Sequence, residues 1–113
     1  CDECLAVYGK WRNCRRRGVS TAELFIDTTP GTPAIYRREA LYKLYHIGYD
    51  IADNVMFGTD HREVYNVPAA LDKIALDRAI FREFLLPRET QEKYFYKNML
   101  RFIGAPQDAA KTL

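Results

Sequence analysis

The pattern of apolar and polar positions along the chain predicts the element order helix, strand, helix, strand, helix, helix. The first helix covers residues 2–17, where Leu5, Tyr8 and Trp11 recur at helical spacing and give it one apolar side. Acidic residues begin this helix and arginines end it, which is the charge order that the helix dipole favours. Gly18 then supplies a typical glycine stop.

Two short apolar runs predict strands. The first is "AELFIDT" at residues 22–28, before a stretch rich in proline and glycine, and the second is "NVMFGTD" at residues 54–60. Both runs are nearly continuous, which is typical of strands covered on both faces in parallel sheets. Between them, "YRREALYKLYHIGY" at residues 36–49 predicts the helix of a right-handed crossover unit. Its predicted apolar side consists of Tyr36, Ala40, Leu41, Leu44 and Gly48.

The last part of the chain is predicted to be helical. Residues 67–86 form one helix and residues 88–97 a shorter one. Asn98 is predicted to cap a last turn at residues 99–104, because asparagine is a preferred N-cap residue. The tail, residues 105–113, has little to bury and is expected to fray. The apolar side predicted for the first of these helices consists of Leu71, Ile74, Phe81 and Leu85.

These elements place the chain in the α/β class, as part of a larger sheet or barrel. Two parallel strands alone would each have an exposed edge, yet both have the sequence of interior strands. We therefore interpret residues 1–104 as one segment of a larger fold. A chain that begins with cysteine instead of methionine agrees with that interpretation.

Composition argues against two classes of protein. The 113 residues are 48% hydrophobic, which is enough for the core of one domain. Charged residues make up 28% of the chain and the net charge is only +2, so a nucleic-acid-binding surface is not expected. No apolar run approaches the roughly 18 residues of a membrane span, and the first residues lack the pattern of a signal peptide. Association with a membrane is therefore not expected either.

Three cysteines occur in the sequence, at Cys1, Cys4 and Cys14. An odd number is more typical of a reducing compartment than of a disulfide framework, so we expect a cytoplasmic protein with free thiols. The pair Cys1-x-x-Cys4 is half of a zinc ribbon, but no second pair follows it, so structural zinc is not expected.

Polar side chains gather where the two predicted strands end. In α/β folds, functional groups lie at the carboxyl ends of strands, and here these ends carry Asp27 and Asp60. A carboxylate in that position can bind a divalent metal and accept a proton from metal-bound water. Thr28, Thr29, Thr59, His61 and Arg62 accompany the two carboxylates.

Each candidate residue could also have a purely structural role. Asp27 precedes "TTPGTP" and fits a turn or substrate loop better than a catalytic group, because aspartate is common in turns. From the residues alone, Asp60 is evenly balanced between the two roles. His61 fits a loop residue better than a ligand, and His46, inside a predicted helix, fits a surface or packing residue.

Two segments together resemble a known family. "NVMFGTDHR" at residues 54–62, followed further along by "KNMLRFIG" at residues 97–104, resembles the C-terminal end of the amidohydrolase superfamily. The most similar branch is the amidohydrolase-related one, with metal-dependent hydrolases and some non-oxidative decarboxylases. Its eighth strand typically ends in Phe-Gly-(Ser/Thr)-Asp, and its closing helix carries a pattern similar to Asn98, Arg101 and Gly104.

The resemblance covers residues 2–104 and implies a (β/α)8 TIM barrel. The chain would supply helix 6, strand 7, helix 7, strand 8, helix 8 and the closing helices. Asp60 would be both catalytic base and metal ligand, with zinc, or manganese or another divalent ion, as the cofactor. The residues implied to bind a small-molecule substrate are Thr28, Thr29, Thr59, His61 and Arg62.

Two features of the sequence limit what the resemblance implies. His61-Arg62 stand where family members often have an aromatic residue or proline, so the substrate class stays open. The family's other metal ligands would lie upstream of residue 1, so this segment alone is expected to be inactive. It would need the remainder of the barrel or another copy of the chain, and a homo-oligomer is expected.

Two alternatives remain beside the hydrolase. One is a decarboxylase of the same superfamily that uses the same Asp60. The other is a small protein-interaction domain without catalysis, because aromatic side chains concentrate at interfaces. The aromatic residues that would bind a partner are Tyr36, Tyr42, Tyr45, Tyr49, Tyr94, Phe95 and Tyr96.

Overall fold

The structure is a computed structural model that describes residues 2–19, 21–28, 34–59 and 67–107. It is a small, mostly helical α/β domain, and every predicted element occurs in the predicted order. Residues 108–113 of the predicted frayed tail lie outside the described residues. The elements are α1 (Asp2–Arg16), β1 (Ile26–Asp27), α2 (Ala34–His46), β2 (Val55–Met56), α3 (Val67–Glu83), α4 (Arg88–Glu92), a π-helical segment (Lys93–Lys97) and α5 (Asn98–Ile103).

Helix α1 confirms the first predicted helix and its apolar side. Leu5 and Tyr8 are buried, with 4% and 2% of their surface exposed. The Tyr8 hydroxyl donates a hydrogen bond to the Asp50 carbonyl oxygen at 2.8 Å, which ties α1 to the turn before β2. Gly18 has φ 72°, the left-handed conformation in which glycine commonly ends helices.

The two strands pair in parallel, as the sequence predicts. Ile26 lies opposite Val55, and Asp27 lies opposite Met56. The Ile26 N–H donates to the Asn54 carbonyl oxygen at 2.6 Å. Strand β2 is buried, with Val55 at 0% exposed, whereas β1 is half-buried at Ile26 and exposed at Asp27. The apolar run of β2 is therefore interior, and that of β1 is only partly so.

Both strands are shorter than the predicted segments 22–28 and 54–60. Before β1, the Leu24 carbonyl oxygen accepts a hydrogen bond from the Asn54 side-chain Nδ2 at 2.8 Å. In a longer parallel sheet this carbonyl oxygen would accept from a main-chain N–H, but here it accepts from a side chain. The Leu24 and Phe25 side chains are half-buried even though these residues lie outside the strand.

The edge of β2 that faces away from β1 is covered by the C-terminal helices. The Phe57 N–H donates to the Tyr94 carbonyl oxygen at 2.9 Å, and Asn98 Nδ2 donates to the Val55 carbonyl oxygen at 2.9 Å. The inference of a larger sheet assumed that each strand of a two-stranded sheet has an exposed edge, and for β2 that assumption does not hold. The reason is that the C-terminal helices satisfy main-chain groups that a neighbouring strand would otherwise bind.

The predicted capping role of Asn98 is also wrong. Asn98 has the helical angles φ −68° and ψ −37°, and the helix runs on without a break from the π-helical segment into α5. Its side chain points to the sheet, where Nδ2 donates to the carbonyl oxygens of Ala52 and Val55. A residue in the interior of a continuous helix has no free helix start to cap.

Helix α2 buries only part of the predicted apolar side. Leu41 and Leu44 are buried as expected, at 1% and 4% exposed, but Tyr36 is 56% exposed. The buried residue in the first turn is Arg37, at 7% exposed. The stripe at Arg37, Leu41 and Leu44 has helical spacing, so a charged residue occupies one position of the apolar side.

Helix α3 likewise has a charged residue at a buried position of its apolar side. Ile80 and Phe81 are buried, whereas Leu71 and Leu85, which the sequence placed on the apolar side, are 57% and 87% exposed. Asp77 instead is completely buried, at 0% exposed. The buried charges of α2 and α3 face each other, which is why both helices can tolerate them.

Tyrosine and phenylalanine rings fill much of the core. Phe81 is 0% and Tyr94 is 1% exposed, with ring centroids 4.8 Å apart in an edge-to-face arrangement. Half-buried side chains such as Phe95 surround this pair. The buried core residues are Leu5, Tyr8, Leu41, Leu44, Ile51, Val55, Ile80, Phe81 and Tyr94.

Within the described residues, no helix is both long enough and apolar enough to cross a membrane.

Candidate functional site

A buried polar cluster lies beside the carboxyl end of β1. It consists of Thr28 directly after β1, Arg37 in the first turn of α2, Asp77 in the middle of α3 and Tyr94 in the π-helical segment. We call these four residues the strand-end cluster. Four separate segments therefore converge on one set of hydrogen bonds.

The centre of the strand-end cluster is a two-pronged ion pair. Arg37 Nε donates to Asp77 Oδ1 at 2.8 Å, and Arg37 Nη2 donates to Asp77 Oδ2 at 2.8 Å. Arg37 Nη1 donates to the Thr28 carbonyl oxygen, also at 2.8 Å. The hydrogen bond to Asp77 raises the pKa of Arg37, against the opposing effect of burial. The two parallel hydrogen bonds between Arg37 and Asp77 compensate for the water that both groups lose on burial.

Tyr94 completes the cluster. Its hydroxyl donates to Asp77 Oδ2 at 2.5 Å, and it accepts a hydrogen bond from Arg37 Nη2 at 3.2 Å. Thr28 Oγ1 lies 2.8 Å from the Tyr94 hydroxyl and 3.0 Å from the Met56 carbonyl oxygen. Burial, and next the charge of Asp77, raise the pKa of Tyr94, so the phenol keeps its proton and acts as a donor. The cluster can therefore hold the end of β1 in place, with Arg37, Asp77 and Tyr94 buried and Thr28 half-buried.

The structure describes two of the predicted substrate-binding residues. The Thr28 side chain is turned into the strand-end cluster. Thr59, just beyond β2, is half-buried, and its carbonyl oxygen accepts a hydrogen bond from Lys73 Nζ at 3.4 Å. Because β1 and β2 run in parallel, their carboxyl ends lie on the same side of the sheet, and both residues follow there. The other predicted site residues, Thr29, Asp60, His61 and Arg62, lie outside the described residues.

The predicted metal role of Asp60 is thus not tested by the structure. Within the described ranges, no three side chains of His, Cys, Asp or Glu are grouped so that they could hold a metal ion. Asp27, the other strand-end carboxylate, is the last residue of β1 and is exposed.

Other candidates from the sequence have structural places. His46 is exposed, and its ring stacks on Tyr42 with centroids 4.3 Å apart, which confirms a surface and packing role. Cys4 and Cys14 are exposed free thiols, as expected, and Cys1 lies outside the described part of the chain.

The segment "KNMLRFIG" holds the turn before β2. Besides the two bonds from Asn98, Arg101 Nη2 donates to the Asp53 carbonyl oxygen, and its guanidinium lies 4.9 Å from the centre of the Phe25 ring. Gly104 ends α5 with φ 73°, a left-handed conformation that favours glycine. The Asn, Arg and Gly of this pattern therefore each have a structural function at the sheet or the helix end.

Sequence reasoning missed Arg37 and Asp77. It named Tyr94 as a residue that would bind a partner, whereas Tyr94 is 1% exposed and belongs to the core. A signal for the first two was present, since Arg37 lies four residues before Leu41 and Asp77 lies three residues before Ile80. Each charge therefore occupies a position of an apolar stripe, and the two charges are opposite in sign. Such a pair of helices predicts a buried ion pair.

Two tyrosines with buried hydroxyls allow a matched test of the cluster. Tyr94→Phe removes one donor to Asp77, and we expect the free energy of unfolding to fall by about 1–3 kcal/mol because a buried carboxylate oxygen loses one of its two donors. Tyr45 has a buried hydroxyl with no hydrogen-bond partner among the described residues. Tyr45→Phe should therefore leave the stability unchanged or raise it slightly. Urea unfolding of both variants measures the difference, and an equal loss in both would contradict the role given to Tyr94.

Comparisons with known proteins gave no match: no family model, no curated protein and no solved structure is significantly similar to this chain.

Proposed function

We propose that the chain is the C-terminal part of a metal-dependent hydrolase with a (β/α)8 barrel of the amidohydrolase type. The observation that supports this is the parallel pairing of β1 and β2. Thr28 and Thr59 follow the carboxyl ends of these two strands. In the sequence, Asp60 and His61 come directly after Thr59, that is, after the carboxyl end of β2. In α/β proteins this is the usual position of an active site.

The donor atoms of this segment fit part of a zinc or manganese site. A carboxylate and an imidazole are common ligands of both ions, but a catalytic site usually has three protein ligands. The bound ion would lower the pKa of a water molecule. In this proposal Asp60 would hold the ion, which would supply an activated water, and Asp60 would also serve as the base. Thr28, Thr29, Thr59, His61 and Arg62 would line the substrate pocket. The remaining ligands come from the rest of the barrel or from another copy of the chain.

A groove beside β1 supports a longer sheet. A largely apolar groove of about 410 Å³ runs beside β1, and it is lined by residues of α1 such as Val7 and by Leu24, Phe25 and Ile26. A further strand placed there would cover the apolar side chains that β1 leaves half-buried.

The side of β2 that faces away from β1 would have to pair with another strand if the barrel is to close. The Val55 carbonyl oxygen can accept a second hydrogen bond, but the Phe57 N–H has only one to give, and it is bonded to Tyr94. A first barrel strand next to β2 would have to take over this N–H. Barrel closure therefore requires that the π-helical segment move away from Phe57.

Asp60→Asn in the intact protein tests the proposal, with Asp27→Asn as the matched control at the neighbouring strand end. We expect Asp60→Asn to weaken binding of the divalent ion by about tenfold or more, since even the loss of an indirect metal contact often costs that much. Turnover of an ester or amide that the wild type hydrolyses should fall with it. Metal content after dialysis, measured by mass spectrometry, and kcat are the readouts.

The control should keep its metal, because the sequence assigns Asp27 to a turn or substrate loop and not to the metal site. If Asp60→Asn retains the metal content and the kcat of the wild type, the hydrolase assignment is wrong. An equal loss in both variants would remove the special role of Asp60.

A further inference from the structure

A second groove, unrelated to the strand ends, lies between α3 and the C-terminal helices. Its volume is about 390 Å³, and it is lined by Arg78 and Arg82 from α3 and by Arg88, Glu92 and Phe95 from the following helical segments. We call it the arginine groove. Nothing in the proposed hydrolase reaction uses it.

The acidic residue of the arginine groove is already neutralised. Glu92 Oε1 lies 3.0 Å from Arg88 Nε, and Glu92 Oε2 lies 2.9 Å from Lys97 Nζ. These two partners, Lys97 first, lower the pKa of Glu92. Its charge is therefore not available to Arg78 or Arg82, and the groove keeps a net positive charge.

Arg78 and Arg82 form no ion pair with any of the residues that the structure describes. They lie one helical turn apart, at a spacing where like charges repel and disfavour the helix. The Arg78 guanidinium also lies over the Phe95 ring, 5.3 Å from its centre. This contact orients the guanidinium plane while its N–H groups remain able to bind a ligand.

We propose that the arginine groove binds a doubly charged oxyanion of the phosphate monoester class between Arg78 and Arg82. Guanidinium groups bind phosphate oxygens through two parallel hydrogen bonds, and two of them match the charge of one phosphate group. Side chains four residues apart on a helix have Cβ atoms about 5–6 Å apart, so both can reach the same phosphate. Arg88 also lines the groove, but it is paired with Glu92, so the charge that binds the phosphate comes from Arg78 and Arg82.

Calorimetric titration of the intact protein with inorganic phosphate tests this site at physiological ionic strength. The wild type should show saturable binding, and Arg82→Gln and Arg78→Gln should each weaken it by about tenfold, since hydrogen bonds between charged groups are among the strongest in proteins. The matched control is Arg16→Gln, which removes one exposed arginine between two others at the end of α1. Its affinity should stay within twofold of the wild type.

Two results would overturn the proposal. One is the absence of saturable binding in the wild type at millimolar phosphate. The other is an equal weakening in all three variants, which would mean that phosphate responds to net charge alone. Thermal unfolding of the variants without phosphate shows whether each is folded, and because Arg78 and Arg82 are both exposed, we expect the midpoints to stay close to that of the wild type.

Discussion

Asp77→Asn is expected to lower the free energy of unfolding by about 3–5 kcal/mol, because it leaves the buried Arg37 guanidinium without its counter-charge. Both carboxylate oxygens of Asp77 accept hydrogen bonds, from Arg37 on one side and from Arg37 and Tyr94 on the other. An amide can offer only one oxygen, so its NH2 group would face a donor at the second position. Unfolding in guanidinium chloride, followed by circular dichroism, measures the loss.

A second ion pair between the same two helices gives the control. Arg38 contacts Glu83 through the same two-pronged geometry, at 2.8 and 2.9 Å, but the side chains are 53% and 55% exposed. Glu83→Gln should therefore leave the unfolding midpoint nearly unchanged, because water replaces the lost contact. If Glu83→Gln destabilises the protein as much as Asp77→Asn, burial is not the cause of the effect.

Replacing the whole pair separates the cost of an orphaned charge from the value of the pair. In the double variant Arg37→Met, Asp77→Leu, no charge is left unpaired, and apolar residues of similar size can be neutral or even stabilising. We expect this variant to regain most of the stability that Asp77→Asn loses. The Thr28 carbonyl oxygen would still lose its bond from Arg37, so full recovery is not expected.

The sequence predicted the elements of the fold better than their buried faces. Continuous apolar runs are sufficient to predict two parallel strands, and charge order with Gly18 is sufficient for the bounds of α1, because both signals are local. Leu41, Leu44 and Phe81 are buried as predicted in α2 and α3, but Tyr36 and Leu71 are exposed. The structure buries Arg37 and Asp77 instead. A charge can be buried only with its partner, and this partner lies 40 residues away along the chain.

The π-helical segment is another feature that local signals do not predict. Residues 88–97 were predicted as an ordinary helix, and the helix is present, but its second half has π-helical hydrogen bonds. The wide turn is where the Tyr94 carbonyl oxygen meets the Phe57 N–H. Such single turns often mark sites where tertiary contacts compete with the regular helical ladder.

For the candidate site, the sequence predicted the location at the strand ends but not the buried residues that hold these ends in place. The rule that functional groups gather at the ends of parallel strands led to Thr28 and Thr59, and the structure puts both strand ends at one edge of the sheet. It did not lead to Tyr94, which lies far along the chain from Thr28 and meets it only in the folded protein. Asp60 remains a prediction, since the resemblance to amidohydrolases alone assigns its role.

Asn98→Ala is expected to lower the free energy of unfolding by about 2–4 kcal/mol, because the carbonyl oxygens of Ala52 and Val55 both lose a buried donor. Asn98 is 3% exposed, so water cannot easily replace the lost amide. The control is Asn13→Ala in α1, an exposed asparagine in a helix, where the same substitution should cost nothing and can gain a few tenths of a kcal/mol from helix propensity.

Asn98→Asp makes the same contact depend on pH. The new carboxylate would face the two carbonyl oxygens, so the folded protein raises its pKa above the usual value of about 3.9. A group whose pKa is raised by folding contributes its stability below the unfolded pKa and loses it as the pH rises through the folded pKa. Relative to the wild type at each pH, this variant should therefore be less destabilised at pH 4 than at pH 7. A deficit that is the same at both pH values would mean that the side chain at position 98 turns away from the sheet and that α5 does not hold β2 through it.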